Sequence, residues 1–301
     1  MRQRWRRPLP ALAMPVLVAL TACVGAAASD PRRELGELQV DYSAGAFAGQ
    51  AGEGDTAAVQ LFLAAGMPPD SRGEGGSTAL MNASAGGHVE VVESLLAGGA
   101  NPNLTSESGL TALSAAAGNG HAAVVRTLLS HGADVRAGGP VDQSPLMRAV
   151  RGGRAAVVTL LLESGAPVTA RNDQWSVLML AAFLGDQAIV SALLAHGADV
   201  NAVNARGMTS LMHAASRGHA AVVRGLLAKG AAVDVLDAGG HTALMFAANN
   251  GHSDVVAILL GGGADASRRN RAGSTAAALA EGNGYREIVE LLEAPGVRSG
   301  P

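Results

Sequence analysis

From about residue 54 onward the apolar positions fall into a recurring double stripe. "VEVVESLLAGGA" from Val89, "AAVVRTLLSHGA" from Ala122 and "AAVVRGLLAKGA" from Ala220 place Val, Val, Leu and Leu at i, i+1, i+4 and i+5. That spacing has the period of a helix with one buried face, not the alternation of a strand. A glycine stands just ahead of each stripe and a second glycine closes it. Upstream lies another short apolar string: "TALMNASAGG" from Thr78, "TALSAAAGNG" from Thr111, "TSLMHAASRG" from Thr209 and "TALMFAANNG" from Thr242. Thr or Ser there opens a helix of about eight residues, and the following glycine ends it by taking the left-handed conformation. Two short helices per unit are predicted, with a turn centred on the glycine before Thr leading to the next unit.

The glycines between the paired helices are Gly54, Gly87, Gly120, Gly153, Gly185, Gly218, Gly251 and Gly284, spaced by 33 residues except for a single 32 between Gly153 and Gly185. No such unit can bury its apolar face alone, so neighbours must stack into a solenoid. The two strings together, with "GADVN" at Gly197–Asn201, closely resemble the ankyrin repeat. The resemblance implies an all-α solenoid of about eight helix-turn-helix units joined by hairpin-like turns, with residues 42–296 as the repeat domain and 297–301 as a tail. It also implies protein partners bound on a concave face. The family's histidine after T-P-L is replaced by Met81, Met147, Met179, Met212 and Met245, which should shift stability toward packing. The end units depart from the pattern as caps do: Phe47 and Ala277 occupy the leucine position.

Composition fits closely packed short helices: 40 glycines, 3% aromatic and 16% charged residues. Net charge is −3, and the first 22 residues hold four arginines and no acid, which leaves −7 for the remainder. A mildly acidic chain offers no footprint for nucleic acid. One cysteine, Cys23, excludes an intramolecular disulfide and a cysteine-based zinc site.

Residues 1–22, "MRQRWRRPLPALAMPVLVALTA", read as a signal peptide: a basic start, then an apolar run from Leu9 to Ala22 broken by Pro10 and Pro15. The run is too short for a bilayer span, which takes about 20 residues. Leu20-Thr21-Ala22-Cys23 resembles the lipobox of bacterial lipoproteins, which implies lipid attachment at Cys23, with Val24 resembling an outer-membrane sorting pattern. The alternative is cleavage after Ala26-Ala27-Ala28, giving a soluble periplasmic or secreted protein. Residues 23–41 are expected to be the attachment cysteine and a linker.

No catalytic constellation stands out. His88, His121, His219 and His252 belong to the repeat's G-H, His131 and His196 precede its G-A, and Asp134, Asp199 and Asp265 belong to G-A-D. His213 and His241 lie outside those slots, without a cysteine or acid at metal-ligand spacing. No enzyme activity, cofactor or metal is expected. A partner site is expected where the tips and the ends of the first helices carry unusual residues. The fifth unit is one residue short, has Gln174 where most units have glycine, and carries Trp175 and Phe183, both expected to be exposed; the alternative is that Trp175 folds back over the shortened turn and Phe183 fills a gap against a neighbour. Leu184, Arg151, Arg206, Met208, Arg217 and His241 complete the candidate surface, because aromatic and arginine residues amid a polar rim are typical binding anchors. The reading is an exported, lipid-anchored protein-binding module of the cell envelope. A structural spacer, or an inhibitor or immunity-type protein that blocks a secreted or periplasmic enzyme, would use the same scaffold.

Overall fold

The computed structural model describes residues 30–171 and 174–294. Seventeen α-helices and no extended strand occur among them, and none of the helices is long and apolar enough to cross a membrane. After α1 (Pro31–Glu37) come eight antiparallel pairs: α2 (Ala44–Glu53) with α3 (Thr56–Ala64), α4 (Ala79–Gly86) with α5 (Val89–Ala97), α6 (Ala112–Asn119) with α7 (Ala122–Ser130), and α8 (Pro145–Arg151) with α9 (Ala155–Glu163). The series continues with α10 (Val177–Leu184) and α11 (Gln187–Ala195), α12 (Ser210–Ser216) and α13 (Ala220–Ala228), α14 (Ala243–Asn249) and α15 (Ser253–Gly261), and α16 (Ala276–Gly282) and α17 (Arg286–Glu293). First helices pack on first helices and second helices on second helices along the whole series, giving a two-layered solenoid.

The helix starts follow from side-chain capping. Thr78, Thr111, Ser144, Ser176, Thr209, Thr242 and Thr275 are N-caps whose hydroxyls accept from the backbone N–H three residues on. Each such bond satisfies one of the donors that a helix leaves unpaired at its start. Thr242 is buried, with Oγ1 3.2 Å from the Met245 nitrogen. Thr242→Ala should therefore lower stability by about 1 kcal/mol while Thr242→Ser leaves it nearly unchanged, as urea midpoints will show.

The core lies between the two layers. Val91, Val92 and Leu95, Val124, Val125 and Leu128, and their counterparts through Val255, Val256 and Leu259 are fully buried. Leu96, Leu129, Leu194, Leu227 and Leu260, fourth members of the stripe, are half-buried, while Leu162 in the same slot is buried. All five repeat methionines are buried, so they do pack as apolar groups. Ties between units nevertheless persist, made by the other histidine of the repeat. Nε2 of His88, His121, His219 and His252 lies 2.9, 2.9, 2.9 and 3.1 Å from the carbonyls of Gly52, Ala85, Phe183 and Ser216 in the preceding unit. A carbonyl can only accept, so Nε2 carries the proton in each. Arg154 makes the corresponding bond from Nε to the Gly118 carbonyl at 3.3 Å.

The N-terminal end differs from expectation. Part of the stretch read as linker forms α1, capped by Asp30 and started by Pro31, with Leu35 completely buried and the helix packed on α3. Arg32 lies 4.4 Å over the Tyr42 ring, and Tyr42 stacks on Phe62, which also meets Phe47. An end unit has an open apolar face, and this short helix with its aromatic cluster covers it. Lone Leu35 amid charged neighbours gave no periodic signal. Cys23 and the stretch assigned to the signal peptide lie outside the described residues.

Candidate protein-binding face

The turn tips form a ladder beside the first helices. Glu107 N–H donates to the Gly75 carbonyl, Gly139 to Gly109, Ala238 to Arg206 and Arg271 to Gly239, at 3.1, 2.8, 2.8 and 3.0 Å. Most tips turn through a left-handed glycine, such as Gly207 (φ 73°) and Gly240 (φ 78°). The shortened fifth unit does not: it has Gln174 where most tips have glycine. Here the Asn204 side-chain amide donates to the Gln174 carbonyl at 2.8 Å.

Trp175 follows directly, and it is half-buried, not exposed. Its ring meets Phe183 edge-on at 5.2 Å between centroids and lies 4.5 Å from the imidazole of His213 on the next first helix. Phe183, also half-buried, meets His213 edge-on at 6.2 Å, and the Arg217 guanidinium sits 4.8 Å above its ring. The expected exposure of both aromatics is corrected in this sense: each turns one side to its neighbours and keeps the other at the surface. An aromatic ring in a half-open position lowers its apolar hydration cost by stacking on the nearest flat group.

The other expected residues divide into three groups. Arg206, Met208 and His241 line, with Trp175, a groove of about 670 Å³ across units five to seven. Leu184 is 43% exposed and stands apart from that groove. Arg151 pairs with Asp142 of its own unit at 3.2 Å, so its charge is directed to a neighbouring tip and not to the aromatic cluster. Cys23, the expected lipid-attachment residue, lies outside the described residues, as do Asn172 and Asp173.

Two residues of the face were not singled out from sequence: His213 and Phe246. Both occupy the fifth position counted from the capping Thr, where the other units carry Asn82, Ala115, Arg148, Leu180 and Leu279. Because this position is free of the repeat's apolar rule, its variation was the available signal. His213 is more than nine-tenths buried, its Nε2 has no hydrogen-bond partner among the described residues, and burial pushes its pKa from 6.5 down to about 4. The imidazole is thus neutral near pH 7. His241 Nδ1 lies 3.2 Å from Asp237 Oδ1, and its ring is 5.5 Å from Phe246.

This face combines flat rings, a neutral imidazole and exposed arginines. No group of three or more His, Cys, Asp or Glu side chains suited to a metal occurs among the described residues. The family profile of ankyrin repeats matches residues 47–138, 80–172, 138–204, 178–270 and 211–298, and so nearly the whole solenoid. The chain belongs to the ankyrin-repeat family. Comparison with curated proteins gives no match. Within this ankyrin-repeat protein, the rings of units five to seven lie beside Arg206 and Arg217 of unit six.

Proposed function

We propose that this ankyrin-repeat protein is an exported, lipid-anchored module that captures a protein partner in the cell envelope through the face bearing its tips and first helices. The observation that carries the binding reading is the half-open cluster of Trp175, Phe183, His213 and Arg217 on an otherwise regular repeat scaffold. Aromatic residues beside arginine, partly desolvated and set on rigid helices, supply most of the energy of protein interfaces. A solenoid of stacked helices presents them preformed, which keeps the ordering cost of binding low. Support for export and anchoring comes from the sequence of residues 1–23, whose acylated cysteine would tether the solenoid to a membrane.

Two measurements test the two parts. Capture from envelope extracts should fall at least about tenfold for the Trp175→Ala, Phe183→Ala double variant, and undiminished capture would favour a spacer with no anchor site. Cys23→Ser should abolish lipid labelling and release the protein from membranes without unfolding it. Persistent attachment would assign the processing to Ala28 or the tether to a partner.

A further inference from the structure

The groove across units five to seven narrows what a partner must present. We propose that it receives an aromatic side chain carried on an acidic segment of the partner polypeptide; this rests on the protein-binding reading above. It is lined by Trp175, Met208, His241 and Phe246, by the buried His213 and by the exposed Arg206. At about 670 Å³ it lies within the range of about 300–1,000 Å³ that binds bulky groups. The two ring pairs, Trp175 with His213 and His241 with Phe246, offer flat faces and edges that favour another ring over an aliphatic chain.

His213 Nε2 is buried without a partner, so its dehydration cost has been met before any ligand arrives, and covering the ring adds nothing to it. A neutral His213 contributes no charge, which leaves the field to the groups around it. Those facing it are Arg217, which lies over the adjoining Phe183 ring, and, among the groove's lining, Arg206, Asp237 and His241. Arg206 and Arg217 make no ion pair among the described residues, and neither does Arg271 on the following tip. The one carboxylate in the lining, Asp237, spends Oδ1 on the backbone N–H groups of Gly239 and His241 and on the His241 ring. Asp237 thus keeps a single negative charge that is already engaged by donors, against the three positive charges of Arg206, Arg217 and Arg271 around the groove, and an acidic partner is the electrostatic complement.

The full chain reports on the groove directly, because Trp5→Phe leaves Trp175 as its sole tryptophan. The emission of Trp175 is followed during titration with the heptapeptides Gly-Glu-Glu-Phe-Glu-Glu-Gly, Gly-Glu-Glu-Ala-Glu-Glu-Gly and Gly-Lys-Lys-Phe-Lys-Lys-Gly, and with N-acetylphenylalanine. The first should give a saturable shift, with the alanine and lysine peptides at least about tenfold weaker. Arg206→Gln, a change at the exposed rim, should weaken the first peptide and reduce the dependence of its affinity on salt. Phe246→Ala should weaken it at unchanged ionic-strength dependence. Equal binding of the lysine or alanine peptide, no saturable shift, or N-acetylphenylalanine binding as tightly as the peptide would overturn the proposal. If envelope capture still required Trp175 and Phe183 after such a failure, the groove assignment alone would fall. If the peptide bound and no envelope partner were captured, the groove assignment would stand and the envelope role would fall.

Discussion

Replacing Gly185 by valine is expected to lower the stability of the protein by on the order of 3 kcal/mol, whereas Gly197→Val is expected to cost about 1–2 kcal/mol. Both glycines have left-handed backbones, with φ of 81° and 87°, so each substitution carries the penalty that an L-residue meets there. Their surroundings differ. A Cβ on Gly197 would meet nothing within 4 Å, while one on Gly185 would lie 2.6 Å from the His219 ring. That ring is held in place by its hydrogen bond to the Phe183 carbonyl, so the clash adds an overpacking cost to the backbone one. Urea unfolding of the two variants separates the terms. Equal losses would mean that His219 yields, and that the histidine ties between units contribute little.

The second large effect is a loss of stability in acid that runs through one residue. His213 titrates at about 4 in the folded protein because burial opposes its charged form, against 6.5 when unfolded. Above pH 6.5 both states are neutral and stability is full with respect to this group. As pH falls from 6.5 toward 4 the unfolded chain takes up the proton first, and stability declines by on the order of 2–3 kcal/mol. Below about pH 4 both states are protonated and the contribution levels off. The difference in urea midpoint between pH 7 and pH 4.5 should therefore shrink in His213→Leu relative to the unaltered protein. An unchanged difference would place the acid sensitivity in other groups.

The same residue shows how far sequence reasoning reached into the candidate site. Trp175, Met208, Arg206 and His241 were legible because each interrupts a repeat in which most positions are constrained, and interruptions at tips and helix ends stand out. Phe183 and Arg217 were legible for the same reason, yet their mutual contact was not. His213 passed as a histidine without a metal partner, since its importance comes from what surrounds it and not from its spacing to other residues. Arg151, expected on the same surface, is engaged by Asp142, a pairing within its unit that the repeat pattern does not encode.

By itself the sequence determined the eight units, the limits of their helices and the buried stripe. These features are local: a hydroxyl caps a helix three residues away, a glycine takes a left-handed turn, and apolar residues at helical spacing share a face. Only the tertiary structure decided what meets across units. His219 reaches the Phe183 carbonyl 36 positions back, Trp175 finds His213 on the next first helix, and α1 closes the end of the stack through Leu35. Those contacts depend on the offset between stacked units and on side chains at positions that carry no period. Repetition fixes the scaffold because every unit must bury the same stripe, and the groove exists because a few unconstrained positions are brought together by stacking.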